Sequence, residues 1–467
     1  MSSITQHKPA YLSFSSLVAL FAAISGIVIM FFPILNLPAE QRHVAGLGII
    51  IISLWATAKL PEHLTAVLFF LVAMLMSLGA PSVIFSGFAS SAFWMVFGGL
   101  VIASAVKNTG LSDRIVHSVA DKLNGSYARL VLGVIVVGIL LGFVMPSATA
   151  RIALLIPIII VMAEGFGFHS GSKGRTGLVL AAIFGTFFPT FSVLPNNVPN
   201  MVLVGSIETL YKIEPLYGEY LMLHFPVLGL LKALIIWGLI LWQFPDTPKP
   251  YVSPHETKPP FTNAQFKMSV ILVLTVGLWL TDFIHHISPA WIAVGAAFLL
   301  LLPGFGLVSS KQFNDDIKLP PFLIVAGILG LGALLSSSGL SAVIAKQLTQ
   351  ILPLSAGHDF MNFMSLAFMA MTTSIATTTP GVPAVLTPLA QQLAQAAGLP
   401  LNSVLMTQVL GFSTPIFIYQ VPPLVIGMQL AGEKMIHGMK LVLILAIATV
   451  LLLLPLDYFW WKLLGML

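Results

Sequence analysis

Cysteine is absent from the 467 residues of this chain, and charged residues make up only 8% of it. The missing thiols exclude disulfides, thiolate metal sites and cysteine nucleophiles. Soluble domains carry about 25% charged residues, so this composition, with 57% hydrophobic residues, predicts one polytopic membrane unit. The net charge of +5 is modest, and we interpret it as a signal of loop orientation and not of nucleic-acid binding.

Acidic side chains are also scarce within the apolar segments. Asp282, Glu62 and Glu164 lie at segment ends, and we place no carboxylate deep enough in a segment to carry a proton. The sequence has no P-loop, HExxH or GxSxG motif, and its histidine pair, His285-His286, lies in a short loop. A membrane enzyme or an ATP-driven pump requires such groups. The sequence therefore predicts no enzyme, no metal site and no cofactor.

Long apolar segments are typical of membrane-spanning helices. Segments of this kind cover residues 12–36, 44–60, 63–80, 89–107, 220–243, 267–284, 287–304, 321–345 and 436–462. Three further apolar regions, 128–165, 176–206 and 360–432, are broken by proline, glycine and hydroxyl residues. Non-helical backbone at membrane depth is tolerated only inside protein or beside a watery cavity. We therefore expect a binding site at these breaks.

An internal repeat divides the chain. Residues 93–112 align without gaps with residues 322–341, and seven of the twenty aligned pairs are identical. Broken segments follow each copy in the same order, and such paired interruptions indicate the binding site of a transporter. The predicted domains are 1–43 (N-terminal tail and first helix), 44–244 (first repeat), 245–266 (cytoplasmic linker) and 267–467 (second repeat).

The distribution of basic residues predicts the orientation. If the N-terminus is cytoplasmic and regions 128–165 and 360–395 are re-entrant hairpins, fifteen lysines and arginines lie in inside loops and four lie outside. The two repeats are then inverted. The sequence predicts an all-α, multi-pass protein of the inner (plasma) membrane, with about 11 transmembrane helices and two re-entrant hairpins.

Arg151 is the cation most deeply embedded in apolar sequence, since neither Leu130–Met145 nor Ile152–Met162 contains a charge. A guanidinium inside a bilayer is costly and needs an anionic or carbonyl partner. Because no carboxylate is available, we expect an external anion bound by Arg151 with the hydroxyls of Ser147 and Thr149. The alternative is an arginine near a hairpin end that pairs with backbone carbonyls.

Hydroxyl and amide residues mark the other breaks. Six hydroxyl residues occur in the eight positions 372–379, more than hydrogen bonding within a helix predicts. Lys232 lies midway along segment 220–243, but a lysine stem can snorkel and no polar cluster surrounds it. We therefore favour a snorkelling lysine over a site residue and leave its role open. The candidate substrate-binding residues are Ser147, Thr149, Arg151, Thr377, Thr378 and Thr379. The candidate residues of unwound or cation-binding loops are Asn196, Asn197, Asn200, Pro422 and Pro423.

These motifs resemble the divalent anion/sodium symporter family, which carries di- and tricarboxylates or sulfate. The resemblance covers nearly the whole chain and rests on the run 94–112, the first hairpin tip and the Pro-Pro-type loops. The family's tip motif is Ser-Asn-Thr with a proline ten residues after the serine, and Ser-Ala-Thr at 147–149 with Pro157 keeps this spacing. The tip is similar to that of the citrate/succinate and 2-oxoglutarate/malate exchangers, which implies that Arg151 meets substrate.

The resemblance also implies a homodimer with fixed scaffold domains and a sliding transport domain, an elevator. In the family, the tips and unwound loops hold sodium. Both tip asparagines and one loop asparagine are replaced here, with Thr-Thr-Pro at 378–380 or Ala-Thr-Thr at 376–378 in the second tip. Coupling to sodium, to protons or to a counter-anion is therefore left open.

The sequence as a whole predicts a secondary transporter of small di- or tricarboxylate anions, acting as symporter or exchanger. The alternatives are a transporter of sulfate or another inorganic or organosulfur anion, and an anion channel, which also needs a cationic constriction. The expected partners are the anionic substrate, membrane lipids and a second copy of the chain, without nucleic acid.

Overall fold

The computed structural model describes residues 14–33, 36–57, 59–112, 114, 126–145, 147–249 and 260–467. Most of the N-terminal tail, the central part of the predicted linker (250–259) and Pro146 of the first predicted break lie outside these ranges. Within the described ranges every regular element is helical, which confirms the predicted all-α class.

The first half of the chain contains ten helices in the described ranges, the last of which includes π-helical turns at Phe225–Leu231. They are α1 (Phe14–Phe31), α2 (Ala39–Thr57), α3 (Glu62–Leu75), α4 (Pro81–Ile84), α5 (Ser91–Asn108), α6 (Tyr127–Val144), α7 (Ala148–Gly165), α8 (Lys173–Phe187), α9 (Val198–Tyr211) and α10 (Tyr217–Gln243). Two 3₁₀ turns, Pro189–Ser192 and Leu194–Asn196, separate α8 from α9.

The second half is organised in the same way, and its last helix includes π-helical turns at Thr449–Leu453. Its helices in the described ranges are α11 (Asn263–Leu280), α12 (Asp282–His285), α13 (Pro289–Leu301), α14 (Ser310–Asp316), α15 (Pro320–Ser337), α16 (Leu340–Ile351), α17 (Asp359–Thr377), α18 (Gly381–Leu386), α19 (Ala390–Ala397), α20 (Leu401–Phe412), α21 (Pro422–Ala431) and α22 (Met435–Leu463).

Eight helices of the described residues are long and apolar enough to cross a membrane. They are α5, α7, α8 with its 3₁₀ extension, α10, α11, α15, α17 and α22. Six shorter apolar helices accompany them. This pattern is that of a multi-pass membrane protein, while the count of about 11 transmembrane helices and the re-entrant course of the hairpins stay predictions.

The two halves follow one order of elements, as the internal repeat predicts. In each half a long helix precedes a broken hairpin, a helix that ends in unwound chain, and a terminal helix with π-helical turns. The equivalent glycines Gly110 and Gly339 both have left-handed backbones, with φ of 69° and 73°. The rings of the equivalent Phe93 and Phe322 contact each other, with centroids 5.1 Å apart. The domain boundaries and the inverted orientation stay predictions.

The three broken regions are broken in the structure. The first divides between α6 and α7, the second at the 3₁₀ turns after α8, and the third into α17 to α21. The predicted continuous span 321–345 is wrong, because α15 ends at Ser337 and α16 begins at Leu340. Gly339 makes this break, since its positive φ is incompatible with a right-handed helix.

The prediction that no carboxylate lies well inside an apolar segment is wrong for Asp457, which is fully buried within the last helix. Asp282 is also fully buried, but it follows the end of α11 at Leu280, at a segment end as predicted. Asp282 accepts hydrogen bonds from the backbone N–H groups of Tyr217 and Gly218, so it satisfies free donors at the start of α10. Asp457 lies in α22, six residues from its end, where hydropathy alone does not distinguish a buried side chain from one at the membrane surface.

Candidate functional site

A cavity of about 260 Å³ lies between the two hairpin tips and the two unwound segments. We call 145–149 the first tip, 378–380 the second tip, 188–197 the first unwound segment and 413–421 the second unwound segment. The candidate residues that line the cavity are Ser147, Thr149, Asn197, Thr378, Thr379, Pro422 and Pro423. The candidates that do not line it are Arg151, Thr377, Asn196 and Asn200.

The first tip presents the N-terminus of α7 to the cavity. Ser147 is the N-cap residue, and its hydroxyl accepts a hydrogen bond from the backbone N–H of Ala150 at 3.3 Å. Thr149 lies in the first turn with an exposed side chain. The free N–H groups and dipole of a helix N-terminus attract anions, so this tip suits a carboxylate or sulfate oxygen.

Arg151 lies one turn into α7, where its side chain is fully buried. The guanidinium donates to Met145 O and Asn196 Oδ1, to Thr186 O at 3.1 Å and to Thr190 Oγ1 at 3.2 Å. The expectation that its partner lies outside the chain is therefore wrong, because four protein oxygens surround the charge. The alternative prediction, pairing with carbonyls, describes these contacts better.

The first unwound segment is held by its asparagines. Asn196 donates to Gly142 O at 2.5 Å, which ties the segment to α6. Asn197 caps α9 by accepting the Asn200 N–H at 3.0 Å, and its own Nδ2 has no hydrogen-bond partner. Asn200 donates to Phe191 O and Val193 O, both at 2.9 Å. Of these three asparagines, Asn197 is the one that lines the cavity.

The second tip is shaped by Thr378. Its φ is 70°, an unfavourable region for a residue with a branched Cβ, and it ends α17. The Thr377 hydroxyl donates to Thr373 O at 2.8 Å and so is used within the helix, whereas Thr378 and Thr379 line the cavity. Backbone strain of this kind often occurs at ligand sites.

Gln420 is a cavity residue that the sequence analysis did not identify. It is almost completely buried, donates to Ser374 Oγ at 2.9 Å, and accepts the backbone N–H groups of Ile416 and Phe417 at 2.9 and 2.8 Å. It therefore joins the second unwound segment to α17. The signal available in the sequence was an amide side chain two positions before the Pro-Pro pair.

The second unwound segment leads into α21, which begins with Pro422 and Pro423. Proline suits the first helical turn because that turn has free N–H groups in any case. Helix α21 packs closely against α7 and α8, since a Cβ on Gly427 would lie 2.8 Å from atoms of Ile152 and Ile183. This contact holds the second unwound segment beside the first tip.

The remaining walls of the cavity are mostly apolar. Phe187 comes from the end of α8, Phe191 comes from the first unwound segment, and Val96 and Leu100 come from α5. Glu62, an exposed residue at the start of α3, is the acidic residue of the lining. An apolar pocket with a few convergent polar groups is typical of a small-molecule site.

A family model described as "Sodium:sulfate symporter transmembrane region" matches residues 12–467. The chain belongs to the sodium:sulfate symporter family. It is therefore a membrane transporter, and the resemblance predicted from the sequence is confirmed at the level of the family. The citrate/succinate branch within it stays a prediction.

Several relatives and one solved structure are similar to this symporter-family chain. An uncharacterized transporter of Haemophilus influenzae is 21% identical and aligns over 93% of this chain and 95% of its own length. A membrane protein of Cupriavidus necator is 22% identical over 70% of this chain and 66% of its own. The sodium-dependent dicarboxylate transporter SdcS of Staphylococcus aureus is 23% identical over 45% and 42%.

The solved structure is that of the YdaH transporter of Alcanivorax borkumensis. It superposes with a TM-score of 0.54 at 15% sequence identity and covers 92% of this chain and 99% of its own. At this identity the likeness concerns the fold alone.

Proposed function

We propose that this family member is a secondary transporter that binds small dicarboxylate anions in the cavity between the two tips. The observation that carries the proposal is the convergence of hydroxyl donors and the first turns of α7 and α9 on one cavity, with contributions from both halves. Neutral donors and helix N-termini at half-broken helices are the usual anion site of such transporters. The SdcS relative favours a dicarboxylate over sulfate.

Arg151 supports the anion from behind the lining in this proposal. Its charge lies within one turn of Ser147 in a buried environment, where electrostatic interactions are screened less than in water. Four oxygens surround the guanidinium, as oxygens surround a bound cation. We propose that Arg151 supplies at the first tip the positive charge that a sodium ion would supply, so that substrate binding there does not require sodium.

We further propose that the protein works as an elevator-type homodimer in the inner membrane, with its N-terminus in the cytoplasm. This part rests on the family resemblance and on the charge distribution of the loops. The packing of α21 against α7 and α8 supports it, because these contacts would let the first tip and the second unwound segment move as one body.

Counterflow of labelled succinate in proteoliposomes tests the proposal. Vesicles loaded with unlabelled succinate should accumulate the label, with unlabelled citrate, 2-oxoglutarate and sulfate as competitors, and the rate should be the same in sodium and in choline. Thr149→Val should raise the succinate concentration for half-maximal exchange by about tenfold, since it removes a hydrogen bond to a charged ligand. Thr349→Val, on α16 outside the cavity, is the matched control.

The other outcomes of this experiment are informative. Stronger inhibition by sulfate than by the carboxylates would mean that the substrate is sulfate and not a dicarboxylate. A requirement for sodium would contradict the role given to Arg151. Ion current without counterflow would indicate an anion channel. Unchanged exchange by the Thr149 variant would contradict the location of the site.

A further inference from the structure

A second polar cluster lies in the described residues where the last helices of the two halves meet. His224 and Lys232 come from α10, and Asp457 and Trp461 come from α22, and all four side chains are completely buried. His224 and Lys232 directly flank the π-helical turns of α10, and these contact the π-helical turns of α22. Single π-helical turns inside α-helices occur frequently at functional sites.

The cluster is poorly satisfied. Neither carboxylate oxygen of Asp457 and neither ring nitrogen of His224 has a hydrogen-bond partner. The indole N–H of Trp461 lies near the carboxylate but outside hydrogen-bond geometry, and the ammonium of Lys232 attracts it through space. Burying a carboxylate without hydrogen bonds is expensive, and an ionisable residue inside a membrane protein therefore indicates a function.

Lys232 connects the cluster to both unwound segments. Its Nζ donates to Ser413 O at 2.8 Å, at the start of the second unwound segment. The same atom lies 6.0 Å from the ring centroid of Phe188, at the start of the first. Lys232 is therefore positioned to transmit a change of charge to the backbone that forms the substrate cavity.

Tyr220 makes a second connection. Its ring packs against His224 with the centroids 4.6 Å apart, and its hydroxyl donates to Phe191 O at 2.9 Å. Phe191 lines the cavity. The cluster thus contacts the first unwound segment through Tyr220 and the second through Lys232, without lining the cavity itself.

We propose that Asp457, with Lys232 and His224, is a proton-binding site that couples proton uptake to anion binding in the cavity. This inference rests on the proposed transport function. One proton binds to a carboxylate oxygen of Asp457 from one side of the membrane and is released from it on the opposite side. This O–H bond is the only bond that forms and breaks. His224 is the buried imidazole of the cluster, and its ring contacts those of Tyr220 and Trp461.

The direction of coupling follows from charge. Protonation removes the negative charge of Asp457, so that the positive charge of Lys232 is no longer compensated and raises the potential at the unwound segments. Anion binding is then stronger, and by reciprocity a bound anion favours the protonated carboxyl. The proton and the anion therefore travel in the same direction.

The other titratable groups of the helices in the cluster lie mostly toward the helix ends. Tyr217, Glu219 and Tyr220 are in α10, and Asp359 is in the first turn of α17. His437, Lys440, Tyr458 and the exposed Lys462 are in α22. Helix α17 packs against the end of α22 through Phe363 and Trp461. Asp359 is partly exposed, so Asp359→Asn is a matched control for Asp457→Asn.

Infrared spectroscopy of the purified protein tests proton binding without any ligand. The wild-type protein should show the carbonyl stretch of a protonated carboxyl whose intensity changes with pH across the neutral range. The band should be lost in Asp457→Asn and kept in Asp359→Asn. A spectrum without a pH-dependent band assigned to Asp457 would overturn the proposal, whichever substrate the protein carries.

Transport tests the coupling. With the membrane potential clamped to zero, an inwardly directed proton gradient should drive succinate accumulation of up to about tenfold per pH unit, the limit for one proton per anion. Asp457→Asn should lose this accumulation while its counterflow continues. Equal loss of accumulation and counterflow, with a lower melting temperature, would identify a merely structural pair and overturn the proposal. If the wild-type protein shows no counterflow, the proposed substrate has failed, and the infrared result alone decides the proton site.

Discussion

Arg151 and Lys232 are both completely buried cations, yet their surroundings differ. Arg151 donates to four neutral oxygens from three parts of the first half. Lys232 donates to one carbonyl and lies near the unpaired carboxylate of Asp457 from the other half. A planar guanidinium stays charged and can bridge several fixed acceptors, whereas a buried carboxylate without hydrogen bonds is costly and is relieved when it takes up a proton. The comparison indicates a fixed charge at one site and a switchable one at the other.

The largest effect on stability is expected when the fixed charge, Arg151, is removed. Arg151→Ala should lower the free energy of unfolding by about 3 kcal/mol or more, because it leaves several buried acceptors unpaired at roughly 1–3 kcal/mol each. Thermal melting in detergent measures the change. The exposed Arg129 on α6 provides the control, and Arg129→Ala should change stability by less than about 0.5 kcal/mol.

Arg151→Lys sharpens this result, since it keeps the charge but not the fork of donors. We expect intermediate stability and weakened but measurable succinate exchange. Full stability of Arg151→Ala, with transport lost, would instead mean that the guanidinium leaves its protein oxygens to bind substrate directly.

The second prediction concerns the pairing of Lys232 with Asp457. Lys232→Met alone should destabilise the protein, because it removes the compensating charge of a buried carboxylate. Asp457→Asn should relieve part of that loss, so that the double variant is more stable than the sum of the single changes by about 1 kcal/mol or more. Additive changes in melting temperature would show that the two groups do not interact.

The fold was largely predictable because hydropathy and proline positions act locally. The ends of α10 and α22 lie within a few residues of the predicted segments 220–243 and 436–462, and all three broken regions are broken. The failure at 321–345 came from Gly339, since a single positive φ interrupts a helix without changing the apolar character of the segment.

The site was predictable only in part, because contacts across the chain have no local signal. The tip hydroxyls at Ser147 and Thr149 stand out in sequence and line the cavity. Lys232 was assigned no polar surroundings because its neighbours Asp457 and Ser413 lie in the other half of the chain. Arg151 was assigned an external partner because carbonyl acceptors cannot be located from side-chain identities.

The third prediction compares two hydroxyls next to Arg151. Ser147→Ala should lower stability by about 1 kcal/mol, since it removes the N-cap of α7, and it should also weaken succinate binding. Thr149→Val should weaken binding without changing stability, because Thr149 is exposed to the cavity. Melting temperatures with and without succinate measure both quantities. A stability loss in Thr149→Val equal to that in Ser147→Ala would mean that the tip hydroxyls serve the fold alone.

The smallest effect on stability is expected at an exposed ion pair, which serves as the reference for the buried Lys232 and Asp457. Lys107 and Asp316 are 3.5 Å apart, and the lysine side chain is 62% exposed. Partial burial alone would raise the pKa of Asp316, but hydrogen bonds from Ser104 and Asn108 and the charge of Lys107 hold this pKa below its ordinary value. Solvent screens such a pair, so we expect it to contribute less than about 1 kcal/mol.

A lowered carboxyl pKa gives stability that is present above the unfolded-state value and lost as pH falls through the folded-state value. Wild-type protein should therefore melt slightly above Asp316→Asn at neutral pH, and the two melting temperatures should converge below the ordinary Asp value of 3.8. A difference that grows toward acid would contradict the sign. In contrast, the proton site proposed at Asp457 predicts that the melting-temperature difference between wild-type protein and Asp457→Asn varies at pH values where the Asp316 difference is constant. This contrast separates a switchable charge from a surface pair.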